Sequence, residues 1–120
     1  QQEALQVYET VGKTWTMAEL METGEQVYAQ ACQSCHQANG QGIPPAFPSL
    51  VGQGLAIGPI DAHIDIVVNG KAGSAMQAFA AQLNPAEIAA VVTYERNAWG
   101  NNVGDLVQPR AVNALISSEE

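Results

Sequence analysis

Cys32-Gln33-Ser34-Cys35-His36 places two thiols three residues apart, followed at once by an imidazole. On a helical turn, positions i and i+3 project to the same side, so both sulfurs reach one edge of a planar ligand carrying two vinyl groups. The histidine that follows then reaches a metal at its centre. Cys-x-x-Cys-His is the attachment signature of a c-type haem, so haem c held through Cys32 and Cys35 is the expected cofactor. Tyr28 lies four residues before Cys32 and eight before His36, above the same side of the helix, and is read first as a packing residue. A dithiol oxidoreductase uses the same cysteine spacing but needs a preceding strand and a βαβ unit, which the sequence does not offer. A zinc site needs further Cys or His at ligand spacing, and the only other candidate is His63.

An iron ligated by histidine needs a second axial group if it is to carry electrons rather than bind gases, and methionine is the partner that raises the potential. The chain has three methionines. Met17 and Met21 precede Cys32 on the segment that supplies the proximal side, and core packing is the expected role for both. Met76 stands among Gly73, Ser74 and Ala75, small residues that let the backbone approach a flat ligand, so Met76 is the expected sixth ligand opposite His36. On the expected short helix His63 lies beside Asp61 and Asp65 on the polar side, opposite Val67, and is expected to be a solvated surface histidine. Eight residues after His36, the Pro44-Pro45 stretch offers backbone carbonyls that are candidate acceptors for the proximal imidazole N–H, a bond that would fix its tautomer.

Outward from this motif the chain reads as all-α with long loops. Thr16-Met17-Ala18-Glu19 has the Thr-x-x-Glu form that satisfies two free backbone donors at a helix start, and the helix is expected to run to about Cys35. Residues 37–59 are rich in Gly and Pro and read as an irregular loop. A short helix is expected from Ile60 to Asn69, with Pro59 in its first turn and Gly70 ending it. Lys71 to Leu83 reads as a second loop. Asn84-Pro85-Ala86-Glu87 combines an N-cap, a first-turn proline and a capping glutamate, and opens a helix that should end near Trp99-Gly100. Ile88, Val91 and Val92 form its buried stripe, with Tyr94 at the edge. Residues 1–13, with a loose Leu5, Tyr8, Val11 pattern, read as a lead-in or linker. Residues 101–120 read as an extended tail with a weak Val112, Leu115, Ile116 patch.

A chain of 120 residues with 47% apolar and 13% charged residues suits one folded domain. Gln1-Gln2-Glu3 lacks the positive start of a signal peptide, and no apolar run approaches the length needed to span a bilayer, so no membrane insertion by this segment is expected. The net charge of −8 repels phosphate backbones and anionic lipid, which argues against nucleic-acid binding. No Asp, Glu, Lys or Arg lies between Glu25 and Asp61, nor between Lys71 and Glu87, so both ligand-bearing segments are neutral. Partners are therefore expected to dock on an apolar or weakly polar rim drawn from Ile43, Pro44, Ala75, Gln77 and Ala78, with modest long-range steering.

From about Thr14 to Gly100 the chain resembles the class I c-type cytochromes. That resemblance implies a fold in which N- and C-terminal helices pack around a covalently attached haem, with Gly24 and Tyr28 crossing Tyr94. It implies thioether sites at Cys32 and Cys35, axial ligands His36 and Met76, and a carbonyl from Pro44 to the proximal imidazole. The stretches Lys13–Leu20, His63–Lys71, Ala75–Phe79 and Thr93–Gly100 are similar to a subgroup, the cytochrome c domain fused to the C-terminus of subunit II of bacterial cytochrome c oxidases. This resemblance implies 1–13 as an inter-domain linker, 14–100 as the cytochrome domain and 101–120 as a C-terminal tail. The chain has no Cys-x-x-x-Cys copper motif and no transmembrane hairpin, and so corresponds to the final domain of such a subunit.

By that resemblance the domain is an electron-transfer module rather than an enzyme. It would take electrons from a soluble or membrane cytochrome c and pass them to the binuclear copper centre of the oxidase in aerobic respiration. It would work on the periplasmic side of the bacterial cytoplasmic membrane, tethered in the parent protein and soluble as this segment. A free-standing periplasmic carrier is the alternative, and a haem sensor or enzyme in which Met76 leaves the iron open is a further one.

Overall fold

The computed structural model describes residues 12–43, 47, 49–52, 54–71, 76 and 78–118. Among these residues the regular elements are α1 (Met17–Ala31), the single turn α2 (Gln33–His36), a 3-10 turn (Gly54–Ala56), α3 (Ile60–Asn69), α4 (Pro85–Asn97) and α5 (Pro109–Ser118). Ile43 and Phe47 form an isolated bridge and no strand is present among the described residues. The protein is all-α, as expected.

Both capping boxes form. The Glu19 amide donates to Thr16 Oγ1 at 3.1 Å and the Thr16 amide to Glu19 Oε1 at 2.9 Å. Asn84 and Glu87 repeat the exchange at 2.8 and 2.9 Å, with Pro85 as the first residue of α4. Each box satisfies two amides that the helix itself leaves unpaired. Lys13 Nζ donates to the second Glu19 oxygen at 2.8 Å. The Lys13 hydrogen bond, and then that of the Thr16 amide, hold the Glu19 carboxyl down at about 2, against an ordinary value of 4.5. A depressed carboxyl contributes stability in full above about pH 4.5 and loses it as pH falls toward 2. The Thr16 and Glu19 amides are therefore expected to shift together in an NMR titration over that acid range, by an amount that added salt reduces.

α1 buries Leu20, Gly24, Val27 and Tyr28, an i, i+4, i+7, i+8 stripe, against α4, whose residues 88–93 are buried all round. The helices cross at Gly24, where a Cβ would lie 2.2 Å from the Ala90 carbonyl oxygen. α3 adds Ile64, Val67 and Val68 to this core. Its span is the expected one, but Pro59 sits at the N-cap rather than within the first turn, and Gly70 ends the helix with φ 70°.

Three expectations are corrected. The first helix stops at Ala31, because Cys32 turns to φ −120° and ψ −30° and a separate single turn follows. α4 ends at Asn97, and Trp99 at φ 55° turns the chain away. Residues 109–118 are helical rather than extended. Pro109 occupies the first helical position, where its missing N–H is harmless, and Val112, Leu115 and Ile116 fall at i, i+3 and i+4 on one face. Val112 is fully buried and the other two pack on the core. The Gln108 side chain grips the Trp15 backbone from both sides, accepting its N–H at 2.8 Å and donating to its carbonyl at 2.9 Å. The Leu5, Tyr8, Val11 pattern lies outside the described residues. No helix among the described residues is long and apolar enough to cross a membrane.

Candidate functional site

Cys32 is both the C-cap of α1, its N–H donating to the Tyr28 carbonyl at 2.9 Å, and the start of the next turn. Its own carbonyl accepts the Cys35 amide at 3.2 Å and the His36 amide at 3.0 Å. Cys32, Cys35 and His36 thus share one hydrogen-bonded turn, as their spacing requires. Both cysteines are free, Cys32 buried and Cys35 partly exposed, and His36 is half-buried. Burial pushes the Cys32 thiol up, and the Glu95 carboxylate and Cys35 add to it.

The chain leaves this turn through Gln37 at φ 69°, whose carbonyl accepts the Tyr28 hydroxyl at 2.6 Å. Tyr28 is thus the packing residue expected and also a clamp on the exit from His36. Burial raises its hydroxyl further above the ordinary range. Trp99 completes the clamp. Its indole N–H donates to the Ala38 carbonyl at 2.9 Å, and its ring lies where a Cβ on Gly40 would come within 2.6 Å. The rings of Tyr28, Tyr94 and Trp99 pack with centroids 5.0 to 5.6 Å apart, tilted or edge-on, a favoured aromatic geometry.

Met76 packs against the core while Met17 and Met21 are half-buried on α1. The Met76 carbonyl accepts the Lys71 amide at 3.1 Å, closing the loop that carries it. Past Met76, the Phe79 and Ala80 amides donate to Val67 and Val68 at 3.0 and 3.3 Å, fixing the loop to α3. Pro44 lies outside the described residues, as do Gly73, Ser74, Ala75 and Gln77. Of the expected docking rim, Ile43 is 52% exposed and Ala78 is exposed.

His63 is a correction. It is 2% exposed, not solvated, with Nε2 2.7 Å from Glu95 Oε1. Residues four apart share a helix face, so His63 follows Val67 into the core while Asp61 and Asp65 stay outside. Its partner was legible too, since Glu95 lies three residues after Val92 and seven after Ile88, on the buried side of α4. Arg96 is also buried and makes a bidentate pair with Asp105, Nε to Oδ1 at 2.7 Å and a second nitrogen to Oδ2 at 2.9 Å.

The donor set fits haem c. Two thiols and an imidazole share one turn, a thioether is carried on a separate anchored loop, and the segments bearing them are uncharged. Among the described residues no three His, Cys, Asp or Glu side chains gather as a bare metal ion would need.

Comparison with known proteins agrees. The family model described as cytochrome C oxidase, cbb3-type, subunit III matches residues 19–94. Cytochrome c-552 of Thermus thermophilus is 40% identical over 92 residues, 65% of this chain and 69% of that protein. A second cytochrome c-552 of the same species is equally similar, with 61% of its length covered. The gluconate 2-dehydrogenase cytochrome c subunit of Pantoea cypripedii is 29% identical over 82% of this chain, which spans only a quarter of that subunit. With its Cys32–His36 turn, its all-α frame and these matches, the chain belongs to the cytochrome c family, in the group of the cbb3-type subunit III domain, and its cofactor is haem c.

Proposed function

We propose that the chain relays single electrons through haem c joined by thioethers to Cys32 and Cys35, with His36 and Met76 as axial ligands. The observation that carries this is the single hydrogen-bonded turn holding both thiols and the imidazole. The bound group supplies a one-electron Fe(III)/Fe(II) couple. The protein's residues hold it still. α1 and α4 fix Cys32 through the Gly24 crossing, Tyr28 and Trp99 fix the chain after His36, and the Lys71–Met76 bond and α3 fix the methionine loop. Rigid anchoring on both sides keeps the ligand geometry similar in the two oxidation states, which is what a fast relay needs. Pro44 is the proposed acceptor of the proximal imidazole N–H. Exposed Ile43 and Ala78 support an apolar docking rim.

We further propose that the domain works on the periplasmic side of a bacterial membrane, tethered in a larger oxidase subunit. There it would pass electrons from a cytochrome c donor to a binuclear copper centre. The four stretches shared with the subunit II fusions support this reading. A free-standing carrier is the second reading, favoured by 40% identity across 69% of cytochrome c-552.

Replacing Met76 by alanine tests the ligand assignment. The oxidised wild-type holoprotein is expected to show the weak red band of methionine ligation and to resist carbon monoxide when reduced. Met76→Ala is expected to lose the band, bind carbon monoxide and fall in potential by on the order of 0.1 V. A variant with an unchanged spectrum and potential would remove Met76 from the iron.

A further inference from the structure

Two buried residues outside the ligand set join the halves of the frame. His63 of α3 and Glu95 of α4 are 2% and 5% exposed, with Nε2 of one 2.7 Å from Oε1 of the other. On the far side of the ring Arg96 Nη1 stands 3.5 Å from Nδ1. A guanidinium only donates, so Nδ1 accepts and the ring proton lies on Nε2, donated to Glu95. Stability alone does not call for such a pair, since apolar residues of similar volume in its place are often as stable or more so. A hydrogen bond does what apolar contact cannot, which is to fix a position. Ile64, Val67 and Val68 press α3 onto the core without direction, whereas the imidazole meets the carboxylate at one setting of α3 on α4.

What moves with α3 is the methionine loop. Lys71, just past the end of α3, donates its N–H to the Met76 carbonyl at 3.1 Å, and beyond Met76 the Phe79 and Ala80 amides donate to Val67 and Val68 at 3.0 and 3.3 Å. Val67 is one turn from His63. The loop is thus stapled to α3 at both ends, and a shift of the helix carries Met76 with it. What stays with α4 is the opposite side. The Glu95 carbonyl accepts Asn101 Nδ2 at 2.7 Å, and the same side chain donates to the Leu50 carbonyl at 2.9 Å and accepts the Gly52 amide at 2.7 Å. Leu50 in turn donates its N–H to the Gly40 carbonyl at 2.7 Å, in the chain that leaves His36 beneath Trp99. Glu95 therefore faces both ways, with its side chain toward the helix that carries Met76 and its carbonyl toward the loop that follows His36.

We propose that His63 and Glu95 are positioning residues for the sixth ligand, their hydrogen bond setting α3 on α4 and, through the stapled loop, the place of the Met76 thioether. With the bond made, Met76 is held where it is needed before it binds, and preorganisation of this kind raises affinity without a new contact. With the bond broken, α3 shifts on its apolar contacts and an outside ligand competes more easily. By linkage the effect runs both ways, so freeing Met76 loosens the His63–Glu95 bond by the same factor. The inference rests on the Met76 reading proposed above.

The test uses the oxidised holoprotein, with its red methionine band recorded first, and titrates that band with free imidazole, which competes with the Met76 thioether. His63→Leu combined with Glu95→Leu removes donor and acceptor together, and Arg96 keeps Asp105. This double variant is expected to bind imidazole about tenfold more tightly than wild type. Glu95→Gln keeps an oxygen that accepts from Nε2 and is expected to restore the affinity to within about twofold of wild type. Thr16→Ala, which loses a helix cap far from α3 in sequence and so lowers stability alone, is expected to stay within about twofold as well. In wild type with Met76 displaced by saturating imidazole, the His63 ring proton is expected to exchange with solvent about tenfold faster by NMR. Unchanged affinity in the double variant overturns the proposal, as does a Glu95→Gln or Thr16→Ala variant that binds as tightly as the double one. An unchanged exchange rate in wild type overturns it too, and that measurement decides even if the double variant fails to fold. A wild-type methionine band with any of these results defeats only this inference, whereas a wild type without the band defeats the Met76 reading and this inference with it.

Discussion

Replacing Gly24 by alanine is expected to lower the unfolding free energy of the holoprotein by about 2 to 3 kcal/mol, despite the better helix propensity of alanine. Glycine inside a helix costs about 0.5 to 1 kcal/mol relative to alanine, so Gly24 opposes the helix it sits in. The reason to have it is the crossing with α4. An added Cβ would meet the Ala90 carbonyl oxygen at 2.2 Å and the Tyr94 Cβ at 2.6 Å. Both are rigid, so no side-chain rotation relieves the contact and the helices must part. Parting them also moves Tyr28 and Cys32, one and two turns further along α1, away from α4. The expected drop in melting temperature is about 10 °C by circular dichroism. Gln30→Ala, at an exposed position of the same helix, should change stability by less than about 0.5 kcal/mol. If the two variants melt alike, the close crossing is wrong.

How much of this was legible depended on whether the signal was local. The capping boxes at Thr16 and Asn84 fix helix starts through side chains within three residues, and both formed as read. The Cys32–His36 turn is equally local, and its hydrogen bonds match its spacing. The helix at 109–118 was missed because a proline and three apolar residues are a weak pattern. Its stability comes from distant partners, with Gln108 gripping the Trp15 backbone and Val112 filling a gap in the core. His63 was missed through its neighbours. Two flanking aspartates suggested solvent, whereas the face it shares with Val67 points inward and its partner Glu95 is 32 residues away. Charged residues in an apolar stripe are the pattern that would have found the cluster, since such groups enter a core only when paired.

Removing the carboxylate of Asp105 is expected to be as damaging as crowding the helix crossing. Arg96 brings a guanidinium into the core with its side chain only 4% exposed, while Asp105 reaches in from a position 34% exposed. Asp105→Ala leaves that cation without its bidentate partner, and breaking a buried pair from one side costs about 3 to 5 kcal/mol. Access of water at the Asp105 end puts the expected loss near the lower figure, about 3 kcal/mol, by chemical denaturation. The exposed Lys13–Glu19 pair gives the contrast, since Lys13→Ala is expected to cost far less and to lose even that in high salt. A double-mutant cycle separates the pair from its surroundings. Arg96→Met removes the cation that Asp105→Ala strands, so the double variant should be more stable than the summed single losses imply. Strict additivity would mean that Arg96 is held by something other than Asp105.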